Sequence, residues 1–282
     1  METKPAFKTN ITRVNKKGSE DTEDLLAIEA PLEIRMAYTK NNELFQKNIS
    51  VTMRTPGNDE PLAAGFLFTE GIIKDRKDIT QVSVNTLEEN IVTVKLKDNI
   101  EPFLQNTERN FYTTSSCGVC GKASIDAIKT ISVYPEKQQD MIIDGNLFYS
   151  LPDQLKKEQA VFQKTGGLHA AALFDKRGQI FLMHEDIGRH NALDKIIGAA
   201  LLNDQLPLFD AILLLSGRIS FELVQKANMA GIKIIAAVGA PSSLAVELAV
   251  ECGITLVGFL REEKYNIYSG RQRIHVPVNI ID

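Results

Sequence analysis

From residue 167 onward, short apolar runs alternate with helix-length segments, and no other feature narrows the possible fold so far. Residues 168–174 and 179–183 are apolar and flank the turn Asp175-Lys176-Arg177-Gly178. Further along, the pattern predicts a helix over 191–202, a strand over 211–215, a helix over 220–230, a strand over 233–238, a helix over 242–252 and a strand over 255–259. Continuous apolar runs lack the in–out alternation of a half-solvated strand, so both faces must be buried. Joined by helices, they imply parallel pairing in a three-layer α/β unit. Gly231 and Gly253 each stand between a helix end and the next strand, where a left-handed C-cap is expected.

The first hundred residues read differently. Strands are predicted over 32–39 and 48–54, the second ended by the turn Thr55-Pro56-Gly57-Asn58. Residues 61–73 have helical composition, weakened by Gly65 and Gly71. Residues 79–84 and 91–96 alternate apolar and polar positions, as a hairpin with one solvated face does. The organisation expected is a small α+β domain over 1–108 and an α/β domain over 109–282.

The chain of 282 residues is 44% hydrophobic with a net charge of -4, enough for a real core and no argument for a nucleic-acid partner. Its longest apolar stretches fall far short of the ~20 residues of a spanning helix, and residues 1–10 hold no apolar block of the signal-peptide kind. The expectation is a soluble cytoplasmic protein with no membrane contact.

Three cysteines do not make a disulfide framework. Cys117 and Cys120 lie in Ser115-Ser116-Cys117-Gly118-Val119-Cys120-Gly121, ahead of a helix-like segment in which Ile125, Ile128 and Ile131 recur. A helix N-terminus and Lys122 both favour thiolate, the nucleophilic form. A bare CxxC is a weak signal that also fits structural zinc or dithiol redox chemistry. Zinc wants two further ligands, for which only Cys252 and four scattered histidines are available. A thioredoxin-like dithiol would follow the first strand of a compact domain, not fall in mid-chain. What remains is a mobile thiol that accepts sulfur as a persulfide and passes it on. Cys252, at an apolar helix end, reads as a small buried hydrophobe.

Two further segments carry chemistry-bearing side chains. His184-Glu185-Asp186-Ile187-Gly188-Arg189-His190-Asn191 crowds titratable groups at a strand-to-helix junction, and His169 precedes the neighbouring strand. Such junctions are where α/β sheets bind ligands, although a solvated loop with a helix cap explains the composition as well. Ser216-Gly217-Arg218 and Gly239-Ala240-Pro241-Ser242-Ser243 each open a helix, and backbone amides there suit a phosphate with Arg218 supplying charge. The bland alternative is ordinary turn chemistry, with Pro241 and Ser242 as helix-start residues. No GxGxxG or Walker A pattern is present.

The motifs SSCGVCGKASI, TGGLHAAALF, EDIGRHNALDKIIGAAL, LSGRISFELVQKA, VGAPSSLAVELA and GFLREEKYNIY, in this order, resemble the FdhD/NarQ family. The resemblance covers most of the chain and is sharpest over 115–268. It implies an accessory sulfur carrier (a sulfurtransferase) for formate dehydrogenase. Loaded by an IscS-type cysteine desulfurase, such a carrier delivers sulfur to the molybdenum cofactor in its bis-molybdopterin-guanine-dinucleotide form, held as cargo, with no metal of the carrier's own. Cys117 is then the persulfide-forming residue and Cys120 its partner. The cofactor stretch maps onto Phe259, Leu260, Arg261, Glu262, Glu263 and Lys264, with Arg218 nearby. The resemblance further implies a homodimer and a larger domain similar to the cytidine-deaminase fold. Deaminase chemistry is not expected, because His169-Ala170-Ala171 lacks the glutamate of H-x-E and no P-C-x-x-C follows. The rival reading from another class is a cofactor chaperone that moves no sulfur.

Overall fold

The structure is a computed structural model that describes residues 5–85, 88, 90–98, 100, 102, 134 and 141–276. Its first element is a hairpin of β1 (Ala6–Asn15) and β2 (Gly18–Ala27), paired along its whole length as a separate two-stranded sheet. The sequence pattern gives no sign of it. Both strands are polar and mostly exposed, so no face carries an apolar stripe.

A four-stranded sheet follows in the order β4-β3-β6-β5, from β3 (Ala30–Lys40), β4 (Glu43–Arg54), β5 (Ile79–Val84) and β6 (Ile91–Leu96). β4 begins five residues before the expected start at 48, because its first half is solvent-exposed and carries no hydrophobic signal. Leu32, Ile34 and Met36 of β3 and Val92 and Val94 of β6 point to one buried face, the period of two a half-buried sheet requires. The 79–84 and 91–96 pair is the antiparallel hairpin expected. Helix α1 (Asp59–Thr69) covers the buried face with Leu62, Leu67 and Phe68. It stops four residues short of the expected end at 73. Gly71 turns left-handed (φ 73°) and Ile72 N donates back to Leu67 O at 2.9 Å, which closes the helix.

The second sheet holds six strands in the order β13-β12-β11-β10-β8-β9. They are β8 (His169–Phe174), β9 (Ile180–Asp186), β10 (Ile212–Leu215), β11 (Ile234–Ala237), β12 (Thr255–Gly258) and β13 (Asn266–Ser269). The parallel pairing expected of runs joined by helices holds in the middle of the sheet and gives way at its flanks. β10, β11 and β12 are parallel, but β8 joins β10 antiparallel and β13 returns antiparallel to β12. The reason is connection length. The turns 175–179 and 259–265 are too short for a crossover, which needs about a dozen residues.

Both faces of this sheet are buried, and the strands divide their side chains between them. Ala171, Leu173, Leu213, Leu215, Ile235 and Ala237 face α4 (Arg189–Leu202), α5 (Phe221–Met229) and α6 (Ser243–Glu251). Ala172, Phe174, Ile212, Leu214, Ile234 and Ala236 face Phe148, Leu151 and Leu155 of α2 (Leu147–Glu158). The latter cluster is closed by the short pair β7 (Ile143–Asp144) and β14 (Ile274–His275), while α3 (Phe162–Thr165) precedes β8. Gly231 and Gly253 take left-handed φ of 78° and 60° beyond α5 and α6.

One buried cluster runs from Leu32 through α1 and α4 to Leu256, so the two larger sheets share a core. The α1–α4 crossing is tight at two glycines. A Cβ on Gly65 would collide with the Asp194 carbonyl, and one on Gly198 with that of Pro61. Among the described residues no helix is long and apolar enough to cross a membrane.

Candidate functional site

Strand direction gathers the polar segments at one edge. β9 and β10 are both antiparallel to β8, so the C-terminal ends of β9, β10, β11 and β12 and the first residue of β8 lie together. His169 is the register partner of Asp186, and Ala171 that of Leu215. The edge therefore carries His169, the β9–α4 junction, the 216–220 and 238–242 loops and the 259–265 turn.

Backbone hydrogen bonds continue the sheet into these loops. Gly239 N donates to Gly217 O at 3.1 Å, Ile219 N to Ala240 O at 3.0 Å, Ser242 N to Ile219 O at 2.9 Å and Phe259 N to Gly239 O at 3.0 Å. Such close stacking requires glycine. A Cβ on Gly239 would lie 2.7 Å from Gly217 O, and one on Gly258 2.8 Å from Pro241 Cδ. The loops form a rigid shelf.

Several titratable groups of the junction are already engaged in structure. Lys195 Nζ, 1% exposed, lies 2.7 Å from Asp186 Oδ2 and donates to Thr55 O at 2.9 Å. Asp186 also accepts from Thr55 N, Gly188 N and Asn191 Nδ2, and Asn191 reaches Met53 O at 2.8 Å. This network ties the end of β4 to the start of α4. Glu185 accepts from Val161 N and Phe162 N at 3.1 and 2.9 Å, holding α3. His190 is buried against Ser220 Oγ at 3.3 Å, and burial, then Lys226 and Arg189, pushes its imidazole down to about 3. Burial, then Lys195, brings His184 to about 4.

His169, Arg189 and Arg218 remain. His169 is half-buried beside Gly217, whose Cβ position lies 3.2 Å from its Nδ1. Burial, then Arg189 and Arg218, holds the His169 imidazole below its ordinary range, with Asp186 opposing weakly. Arg218 is exposed, and Arg189 Nε is buried without a hydrogen-bond partner among the described residues.

Of the residues expected from sequence, Arg218 sits on the shelf and Phe259 one loop further, linked through Gly239. Phe259 is exposed with φ 53°, a left-handed conformation uncommon for an aromatic residue. Leu260 is fully buried in the α2-side core, so its side chain is committed to packing. Arg261 Nη1 donates to Val238 O at 2.8 Å and Leu260 O at 3.1 Å. Glu262, Glu263 and Lys264 are exposed in the same turn. Cys117 and Cys120 lie outside the described residues. Arg189 was marked from sequence only as one member of the 184–191 segment and Lys195 not at all, although a lysine inside the apolar run Leu193–Leu201 was a readable sign of a buried charge.

Fold and site together define a mixed α/β protein with a cation-lined sheet edge. The profile of the FdhD/NarQ family matches residues 27–275, and the chain belongs to that family. A Streptomyces coelicolor protein named sulfur carrier protein FdhD is 47% identical over 274 residues, covering 94% of each chain. A Mycobacterium tuberculosis protein of that name is 47% identical over 261 residues, 89% of this chain and 92% of its own. In fold, the chain is similar to a crystal structure described as a formate dehydrogenase accessory protein from Desulfotalea psychrophila. Its TM-score is 0.72 at 24% identity, covering 96% of this chain and 100% of that one.

Proposed function

We propose that this chain is a cytoplasmic sulfur carrier that serves formate dehydrogenase through a persulfide on Cys117. The observation that carries the reading is the extent of the likeness: proteins named sulfur carriers share nearly half their residues with it along 94% of both chains. The donor is an IscS-type cysteine desulfurase. The Cys117 thiolate attacks the outer sulfur of the donor's persulfide, the donor S–S bond breaks, and the desulfurase leaves as a thiolate. Cys117 then carries the S–SH group.

The cargo is the molybdenum cofactor in its bis-guanine-dinucleotide form, received on the sheet edge between Arg218 and the turn of Phe259, Arg261, Glu262, Glu263 and Lys264. Glycine-packed loops and helix N-termini suit its phosphates. For delivery, the Cys120 thiolate attacks Cys117 Sγ and the terminal sulfur leaves as hydrosulfide toward molybdenum. The disulfide left behind accounts for the two electrons that reduce sulfane to sulfide. A cellular dithiol reductant resets the pair. In this reading the carrier is a homodimer, divided near 108 into a small domain and a larger one with the layering of the cytidine-deaminase fold.

Mass spectrometry after incubation with desulfurase and cysteine tests the carrier step. The peptide holding Cys117 is expected to gain a labile adduct of about 32 dalton. Cys117→Ala should abolish it, and Cys120→Ala should keep the adduct but slow its release. An adduct that survives Cys117→Ala, or formate oxidation undiminished when both cysteines are serine, refutes the proposal. The second result would leave a chaperone.

A further inference from the structure

Basic residues near the sheet edge fall into two kinds. Lys195, Lys226 and Arg261 each meet carboxylates or carbonyls within 2.7–3.0 Å. Arg189 and Arg218 make no hydrogen bond or ion pair among the described residues. Arg218 follows Gly217, whose Cβ position lies 3.2 Å from His169 Nδ1, and Arg189 stands three residues past Asp186, the register partner of His169. A buried guanidinium nitrogen without an acceptor carries a desolvation cost that an unidentified acceptor would relieve.

Among the described residues the surroundings are short of competing acceptors. Asp186 already faces Lys195, Asn191 and two backbone amides, and Glu185 faces the amides of Val161 and Phe162. α4 and α5 open here without side-chain caps, whereas Ser242 Oγ caps α6 by accepting from Ala245 N at 3.2 Å. Ser220, the natural cap of α5, turns instead to His190. The first-turn amides of two helices of 14 and 9 residues are thus left for an outside acceptor. α4 has no acidic residue in its first turn and α5 has Glu222.

We infer that Arg189, Arg218 and His169 form a proton-coupled anion site, in which a dianionic phosphoryl group docks against both guanidinium groups while His169 takes up a proton from solvent. The groups facing His169 are Arg189 and His190 on α4, Arg218 on the β10–α5 loop and Asp186 on β9. Burial and two cations disfavour the imidazolium of the free site. A dianion between the arginines reverses the local field and makes the imidazolium a third donor. The site rests on the reading that this edge receives the cargo, and it assigns the part of the edge that holds phosphate.

The test is an NMR titration of the four histidines with sulfate, a tetrahedral dianion that does not itself titrate near neutrality, and then with guanosine diphosphate. Sulfate should raise the His169 pKa by roughly one unit or more, leave His184 unmoved, and act on exposed His275 only through ionic strength. Arg189→Gln and Arg218→Gln should each weaken sulfate binding about tenfold without changing the thermal midpoint. His169→Gln should bind with an affinity independent of pH over roughly 6 to 8. If sulfate leaves His169 unmoved, or binds both arginine variants as tightly as wild type, the site does not exist. If sulfate acts as stated but guanosine diphosphate neither binds nor competes, the site stands and the cargo reading fails.

Discussion

Two pairs of cations lie on or just ahead of α4 and α5, and their surroundings are opposite. Lys195 and Lys226 are 1% and 2% exposed and fully partnered. Lys226 Nζ meets both Asp194 oxygens at 3.0 and 3.1 Å, Thr69 Oγ1 at 2.8 Å and Glu70 Oε1 at 3.2 Å, with the Phe66 ring 5.3 Å away. Burial would lower its pKa, but Asp194 and Glu70 more than offset this and hold the ammonium above the ordinary lysine range. Arg189 and Arg218 sit at the N-terminal approaches of the same helices, where no carboxylate among the described residues reaches them. Lys226 fastens α1, α4 and α5 together, and Lys195 ties α4 to β9 and the end of β4. Unpartnered ones, at the mouth of the sheet, are available to a ligand.

The contrast breaks first at Lys226. Lys226→Met should leave Asp194 and Glu70 buried without a counter-charge and cost roughly 3–5 kcal/mol of stability, read from urea unfolding. A wild-type midpoint would mean the cluster is not structural. The helix crossing ranks next. Gly198→Ala should cost about 3 kcal/mol, since the new methyl meets backbone at Pro61 that no rotamer change can clear.

Acid exposes a smaller difference. With a folded pKa near 3 against about 6.5 unfolded, His190 makes the unfolded state bind the extra proton. Stability should therefore decline as pH falls below about 6.5, by at most about 1.4 kcal/mol per unit from this group. His190→Gln should move the acid-unfolding midpoint to lower pH; an unchanged midpoint would place the acid trigger elsewhere. Smallest of all, Arg218→Gln should alter stability by less than about 0.5 kcal/mol. A larger loss would put Arg218 with the structural cations and remove the contrast.

Where the sequence was legible, one mechanism explains it. The runs 211–215, 233–238 and 255–259 are apolar because both sheet faces are buried, and each emerged as a strand within a residue or two. The β1–β2 hairpin was not legible, since an exposed ribbon has no face to mark. Strand direction was legible where helices join the runs, since β10, β11 and β12 are parallel as expected. It was not legible for β8 and β13, because an apolar run records burial and says nothing of which way its neighbour points.

At the site, the sequence by itself determined the glycines, the arginines, the histidines and the CxxC pair, and placed most of them at strand ends. It could not sort them. Asp186 and Arg189 stand three positions apart in one motif, yet the first is locked to Lys195 and Thr55 while the second keeps a buried nitrogen without an acceptor among the described residues. That division arises because β4 and α1 come from a distant part of the chain to meet α4. Which charge finds a partner is a property of three-dimensional neighbours, and only the tertiary structure supplies them.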